Sequence, residues 1–444
     1  MKTARVIAAG LLVASAAASV GLALMGADRA LEAMKYHAAC AVLASVIGFS
    51  VWALVRSCRR RMLAAGLLHA GFACVLAGWL AGLFLSPAEG SLQLRRGQIG
   101  QVADVGELAL EDFTIDYWED TGTVRQYTSR VTPTVYPSDP AAAAVPSSEV
   151  AIQVNHPFVF RRGFFDPGWW IYQNSYQEAT NPHTGAPFYF TIFLCVKDVG
   201  LPLVAFGGVL LLLGALVWAR ATLCLNVGLQ PPSAARCRRP IVWLYGLAFL
   251  GAAAMLVHRG LSTGHAPMQN MYEFLMCTAA FLPILTYLAR RERHALVIDA
   301  ALQALVLVPV AFFMDGRVKH LMPALQSPLF VPHVGAYVLG YVVLVRAAFG
   351  VGRRLTGVGF LLLTIGLVLG SVWGKVCWGH WWQFDPKEMW SLATWFAYAA
   401  YYHVRPRLTA KGENVFLAVG AAMIVLTLTW INLSRLFTGM HSYA

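Results

Sequence analysis

Along most of the chain, apolar residues run for about 20 positions at a time. Short polar stretches rich in arginine break the runs. A run of that length is what an α-helix needs to cross the hydrocarbon core of a bilayer. The pattern predicts eleven such helices, at roughly 6–25, 37–55, 63–85, 199–219, 241–257, 272–289, 295–314, 333–350, 356–374, 389–404 and 414–432. The first has Lys2 and Arg5 before an Ala/Ser-rich core, so it reads equally as a cleaved signal peptide.

One segment breaks the pattern. Between about 86 and 195 the apolar and polar residues alternate, as in Glu149-Val-Ala-Ile-Gln-Val154 and Trp170-Ile-Tyr-Gln-Asn-Ser-Tyr176. A period of two with interleaved aromatics predicts β-strands. The stretch from Pro137 to Pro146 predicts a loop. The expected fold is therefore an all-α polytopic membrane protein of about eleven spans. One β-rich domain sits between spans 3 and 4.

Composition agrees. The chain of 444 residues is 58% hydrophobic and 13% charged, with a mean hydropathy of +0.58. Soluble domains carry roughly 25% charged residues. A soluble enzyme and a disordered protein are both excluded. The net charge of +12 does not point to nucleic acid, because its sources are clusters between apolar runs. Arg59-Arg60-Arg61, Arg290-Arg291 and Arg353-Arg354 all fall on alternate loops, which places those loops inside the cell. The β-rich segment then lies outside, with 12 acidic and 6 basic residues. Of eight cysteines, no two form C-x-x-C, so neither a disulfide framework nor a zinc site is indicated.

The densest chemistry is Trp373-Gly-Lys-Val-Cys-Trp-Gly-His-Trp-Trp-Gln-Phe-Asp-Pro-Lys-Glu-Met-Trp390. Five of the 14 tryptophans fall in this stretch. An interfacial aromatic belt is one reading. The clustering with glycines favours another, a platform for a flat, π-rich ligand such as a porphyrin. No Ser-His-Asp or Cys-His set is visible, so no side-chain nucleophile is expected. No phosphate-binding Gly-x-x-x-x-Gly-Lys-Ser/Thr loop is present either.

The run Trp378-Gly-His-Trp-Trp-Gln-Phe-Asp-Pro-Lys-Glu388 resembles the WWD signature of haem-handling membrane proteins, which include CcsA, CcmC and CcmF. That signature usually has Trp where Phe384 stands here. Gly264-His-Ala-Pro-Met-Gln-Asn-Met-Tyr-Glu-Phe274, Leu321-Met-Pro-Ala-Leu-Gln-Ser-Pro-Leu329 and Gly439-Met-His-Ser-Tyr443 resemble CcsA in particular. Leu110-Glu-Asp-Phe113, Val154-Asn-His-Pro-Phe158 and Tyr172-Gln-Asn-Ser-Tyr176 resemble its partner CcsB, also called ResB. The whole chain is similar to a CcsB–CcsA fusion of System II. The resemblance implies CcsB-like helices over 1–85 and an extracytoplasmic domain over 86–195. It also implies a fourth CcsB-like helix and linker over 196–240, and a CcsA-like domain over 241–444 with the WWD loop at 373–390.

The resemblance implies a holocytochrome c synthase that carries haem b outward across a bacterial cytoplasmic (inner) membrane. It would attach the haem to the C-x-x-C-H segment of apocytochrome c, working with thiol-reducing proteins of maturation and with membrane lipid. His333 and His441 would hold the iron at an outer site. His69 and His403 would hold it within the membrane, where an ionisable side chain is a functional candidate in any case. His403, beside Arg405, also reads as a simple helix cap. Trp378, Trp381, Trp382, Asp385, Lys387 and Trp390 would surround the haem. Lys375, Lys387 and Arg317 either pair with haem propionates or snorkel to the interface. His265 would help shape the outer site. Two other classes fit the histidines: a haem exporter without attachment activity, and a bis-His electron carrier. A transporter for an unrelated solute would show intramembrane acids, and none stands out.

Overall fold

The computed structural model describes residues 2–25, 48, 50, 53, 62–87, 89–137, 145–161, 166–226, 239–288, 294–317 and 319–433. Ten long helices are present among them: α1 (Lys2–Met25), α2 (Leu63–Leu85), α3 (Leu201–Asn226), α4 (Arg239–Thr263), α5 (Met271–Leu288), α6 (Ala295–Phe312), α7 (Phe330–Ala348), α8 (Thr356–Trp378), α9 (Pro386–Val404) and α10 (Ala410–Leu433). The stretch expected at 37–55 lies largely outside the described residues. Six of the helices are long and apolar enough to cross a membrane, and Val6–Gly21 and Met271–Tyr287 form shorter apolar stretches. The protein is thus a multi-pass membrane protein, but among the described residues the count of eleven spans is not reached. Part of the shortfall has a physical reason at α9, where six aromatic residues and several alanines replace the aliphatic side chains of the other spans.

Helix α1 packs along α9. Ala9, Leu12 and Ala16 meet Ala393, Phe396 and Ala400. Helices α2 and α3 pair through glycines seven residues apart. A Cβ on Gly200 would overlap the Gly78 carbonyl, and one on Gly207 would lie 2.7 Å from the Gly71 carbonyl. Between apolar helices, close backbone approach replaces the hydrophobic effect as the source of contact energy.

Nine strands follow α2: β1 (Gly90–Arg95), β2 (Ile99–Val102), β3 (Gly106–Tyr117), β4 (Val124–Val135), β5 (Val145–Pro146), β6 (Val150–Gln153), β7 (Phe158–Phe160), β8 (Trp169–Thr180) and β9 (Pro187–Lys197). They form two antiparallel sheets, ordered β1-β9-β8-β7 and β2-β3-β4-β5, with β6 also on β4. The inward residues of both sheets share one core of Leu94, Leu108, Val131, Ile152, Ile171 and Phe193. Burial alternates along the first half of β3 as a pleated strand with one face on a core requires, whereas β8 buries Ile171, Tyr172 and Gln173 in succession. The expected loop ends in β5.

Two acids lie within the apolar helices, contrary to expectation. Asp299 in α6 and Glu273 in α5 are fully buried. Each carboxylate has an arginine. Arg346 of α7 makes a bidentate pair with Asp299, both bonds at 2.7 Å. Arg259 of α4 reaches Glu273 at 2.6 Å. An acid hidden in an apolar run escapes notice when its partner is a whole helix away in sequence.

Candidate functional site

Two histidines far apart in sequence meet. The rings of His69 and His403 stand 6.0 Å apart between centroids, with planes at 83°. Each Nδ1 hydrogen-bonds the carbonyl four residues earlier, Ala65 at 2.7 Å and Ala399 at 2.8 Å. A carbonyl only accepts, so Nδ1 carries the proton and Nε2 the lone pair. Both residues lie far from the β-rich domain. His69 is 16 residues before the end of α2, roughly 24 Å at 1.5 Å per residue.

His333 lies at the other end, in the first turn of α7. Its Nδ1 donates to the Gly366 carbonyl at 2.8 Å, which again leaves the lone pair on Nε2. Its ring meets Tyr337 and Trp373 edge-on, at 5.1 and 5.6 Å. Two glycines of α8 make room. A Cβ on Gly370 would lie 2.5 Å from His333 Cε1, and one on Gly366 would lie 2.9 Å from the Tyr337 ring. His333 lines a cavity of about 540 Å³ together with Met268, Tyr272, Trp382, Lys387 and Glu388. That volume is typical of small-molecule and cofactor sites. His441 lies outside the described residues.

The tryptophan-rich loop has several jobs. Trp382 and Lys387 face the cavity. Trp378 stacks on Trp373 at 6.1 Å. Trp381 donates to Asp198 at 2.8 Å. Asp385 is buried and caps α9, accepting the Lys387 N–H, while Glu388 closes the capping box on the Asp385 N–H. Trp390 follows in the first turns of α9, where its carbonyl accepts from Thr394. Trp378, Trp381, Asp385 and Trp390 are not among the described residues that line the cavity. Phe384 holds a positive φ of 59° and packs on Trp79 of α2.

Asp198, between β9 and α3, anchors the loop from the β-rich side. Besides Trp381 it takes Lys375 at 3.2 Å, and Lys375 also donates to the Gly379 carbonyl. Lys375 is therefore buried and paired, whereas Arg317 is largely exposed. His380 lies 3.4 Å from Glu89. Burial pushes its imidazole below the ordinary histidine range, and Glu89 only partly opposes this. His265 bonds the Ala266 and Lys319 carbonyls and so ties the Gly264–Phe274 segment to the cavity's rim.

Two families match separate stretches of the chain. The ResB-like family matches residues 59–188, and the Cytochrome C assembly protein family matches 350–441. The chain is a fusion of a ResB-like and a CcsA-like part. It is 28% identical over 299 residues to the cytochrome c biogenesis protein CcsA of Prochlorococcus marinus (strain MIT 9303), which covers 53% of this chain and 94% of that protein. To CcsA of Synechococcus sp. (strain RCC307) it is 29% identical over 301 residues, 55% and 94% of the two chains. To CcsA of Chlamydomonas reinhardtii it is 27% identical over 238 residues, 45% and 67%. The ResB-like match contains His69, Glu89 and Asn155, and Asp198 lies ten residues beyond it. The CcsA-like part supplies His333, His403 and the tryptophan-rich loop.

Sequence reasoning missed Asn155, Asp198 and Gly370 as parts of the site. The signal at Gly370 was its place in α8, one turn before Trp373. Asn155 stood inside a quoted motif, but nothing in the sequence showed what it touches.

Proposed function

We propose that this protein carries haem from the cytoplasmic side of a bacterial inner membrane to an outer site and attaches it there to apocytochrome c. The observation that carries the reading is a shared arrangement of three imidazoles. His69, His403 and His333 each give Nδ1–H to a main-chain carbonyl and keep Nε2 as the lone-pair nitrogen. A metal-binding histidine is oriented in just this way. Two imidazoles on a common iron, at metal–nitrogen distances of about 2.0–2.1 Å, put their ring centroids about 6 Å apart, and the His69–His403 spacing fits that.

Haem, as cargo, is received between His69 and His403 and passes to His333, with His441 as its second ligand. Lys387 at the cavity wall pairs with a propionate, and Trp382 gives the macrocycle an apolar face. The C-x-x-C-H segment of the apocytochrome then docks on the outer side, its histidine replacing one ligand. Each cysteine thiol adds across a vinyl group: sulfur bonds one carbon, the thiol proton goes to the other, and the double bond is consumed. No net oxidation occurs. The protein contributes position and orientation, and the haem and thiols contribute the chemistry. Haem b is the expected cargo, with thiol-reducing proteins keeping the cysteines reduced.

The chain purified in detergent should show a low-spin spectrum with sharp α and β bands on dithionite reduction, and its pyridine extract should identify haem b. Co-expression with a C-x-x-C-H reporter should yield covalently haem-stained protein. A haem-free preparation from haem-replete cells would overturn the reading. Bound haem without any attachment would reduce it to export. A second check concerns Gly370. G370A should displace His333 and lower attachment roughly tenfold, within the 1–3 kcal/mol typical of overpacking. G246A, where a Cβ meets nothing within 4 Å, should leave it unchanged.

A further inference from the structure

A buried polar side chain of the β-rich domain reaches the surroundings of His333. Asn155 sits in the turn between β6 and β7 with φ at +69°, a left-handed conformation that asparagine tolerates better than most residues. It is buried, and its amide faces two ways. Nδ2 donates toward the carbonyls of Pro323, Ala324 and Gln326, at 3.0, 3.0 and 3.2 Å. Oδ1 accepts from Trp373 Nε1 at 3.3 Å. The amide cannot be turned over, because three carbonyls require a donor and an indole N–H requires an acceptor.

The consequence is a relay of contacts with one end on the candidate ligand. Trp373 Nε1 is held between Asn155 and the Ala324 carbonyl, the latter at 3.2 Å. The indole is buried, with Trp378 stacked on it and Phe330 edge-on. Its ring sets one side of His333. The turn at 323–325 leads directly into α7, so the backbone that carries His333 is gripped by the same amide. Val154, next to Asn155, packs in the same apolar cluster as Leu325, Phe330 and Trp373.

We propose that Asn155 is a positioning residue for His333, by which the β-rich domain fixes the orientation of the outer haem ligand. The proposal rests on the reading of His333 as that ligand. Asn155 does not touch the haem. It joins the turn before α7 to Trp373, so that His333 is braced from α8 through Gly366 and from the β-rich domain through Trp373. A tether that merely held the domain in place would not need to bond Trp373, whose ring flanks His333.

The test uses the full chain purified with haem, as N155A, N155D, W373F and H333A. Absorption spectra are recorded oxidised and reduced, and holocytochrome yield is measured with a C-x-x-C-H reporter. The His333-dependent signal is the low-spin absorbance that H333A removes. N155A should lose most of that signal and about tenfold of the yield, a loss in keeping with one or two buried hydrogen bonds. Added imidazole should recover part of both. N155D keeps the acceptor for Trp373 but faces three carbonyls with a carboxylate, and should fare no better. W373F keeps an aromatic ring but loses the indole N–H together with the pyrrole half of the side chain, so it should fold even if N155A does not, and should show a smaller loss of the same signal. If N155D and W373F both keep the full signal and yield while H333A loses them, Asn155 is only a tether and the proposal is wrong. If H333A itself changes neither spectrum nor yield, the ligand reading fails first, and the proposal falls with it.

Discussion

H333A should stop cytochrome maturation while leaving the chain in the membrane. Even the outer-shell partners of metal ligands typically cost about 10–100-fold when removed. Loss of an axial imidazole should therefore lower the attachment rate by more than about 100-fold. The cavity that His333 leaves is imidazole-shaped, bounded by Gly366, Gly370, Tyr337 and Trp373. Millimolar imidazole in the growth medium should thus restore part of the activity. The measurement is covalently haem-stained reporter per unit of full-length protein, with and without imidazole. Normal maturation by H333A would remove His333 from the mechanism.

The second large effect concerns stability. Arg346 and Asp299 are 1% and 0% exposed at their side chains and share two short hydrogen bonds. Arg346 Nη1 has no hydrogen-bond partner among the described residues, so the guanidinium depends heavily on that one carboxylate. Breaking a buried pair by removing one member typically costs about 3–5 kcal/mol, because the other charge is stranded. D299A should therefore lower the detergent melting temperature and the yield of intact protein sharply. Replacing both members with apolar residues of similar volume, as in D299L/R346M, should recover most of the loss, since a buried pair contributes little net stability over a well-packed apolar one. If D299A melts like the parent chain, the pair is not closed in the membrane as it is here.

What could be read from the sequence divides along physical lines. Helices announce themselves through long apolar runs, and α2 and α7 start within three residues of their expected positions. Strand alternation marked both β6 and β8, but only β6 keeps it in burial, since Ile171, Tyr172 and Gln173 of β8 are buried in succession before a bulge. The histidine pair at 69 and 403 was visible only through the family resemblance, since no local pattern links α2 to α9. Polar partners across the chain were invisible. Asp299 had no signal without Arg346, and Asn155 had none without Trp373. Trp381 and Asp385 were expected around the ligand, but here the first is tied to Asp198 and the second caps α9. Interfacial tryptophans and acids look alike in sequence whether they face a ligand or hold a loop.

The seam between the two parts has a consequence for inheritance. Lys375, Trp381 and Gly379 lie within the Cytochrome C assembly match, and Tyr172 of the ResB-like match, with Leu194 and Asp198 just beyond it, lies against them. Asn155 crosses the same boundary. A chimera that takes either part from a distant relative therefore receives half of a lock. One with another residue at 198 buries Lys375 without its counter-ion. Halves that travel together as one chain arrive in equal number and already matched. Split into separate chains, the same seam would become an obligate interface, one whose two sides must change together.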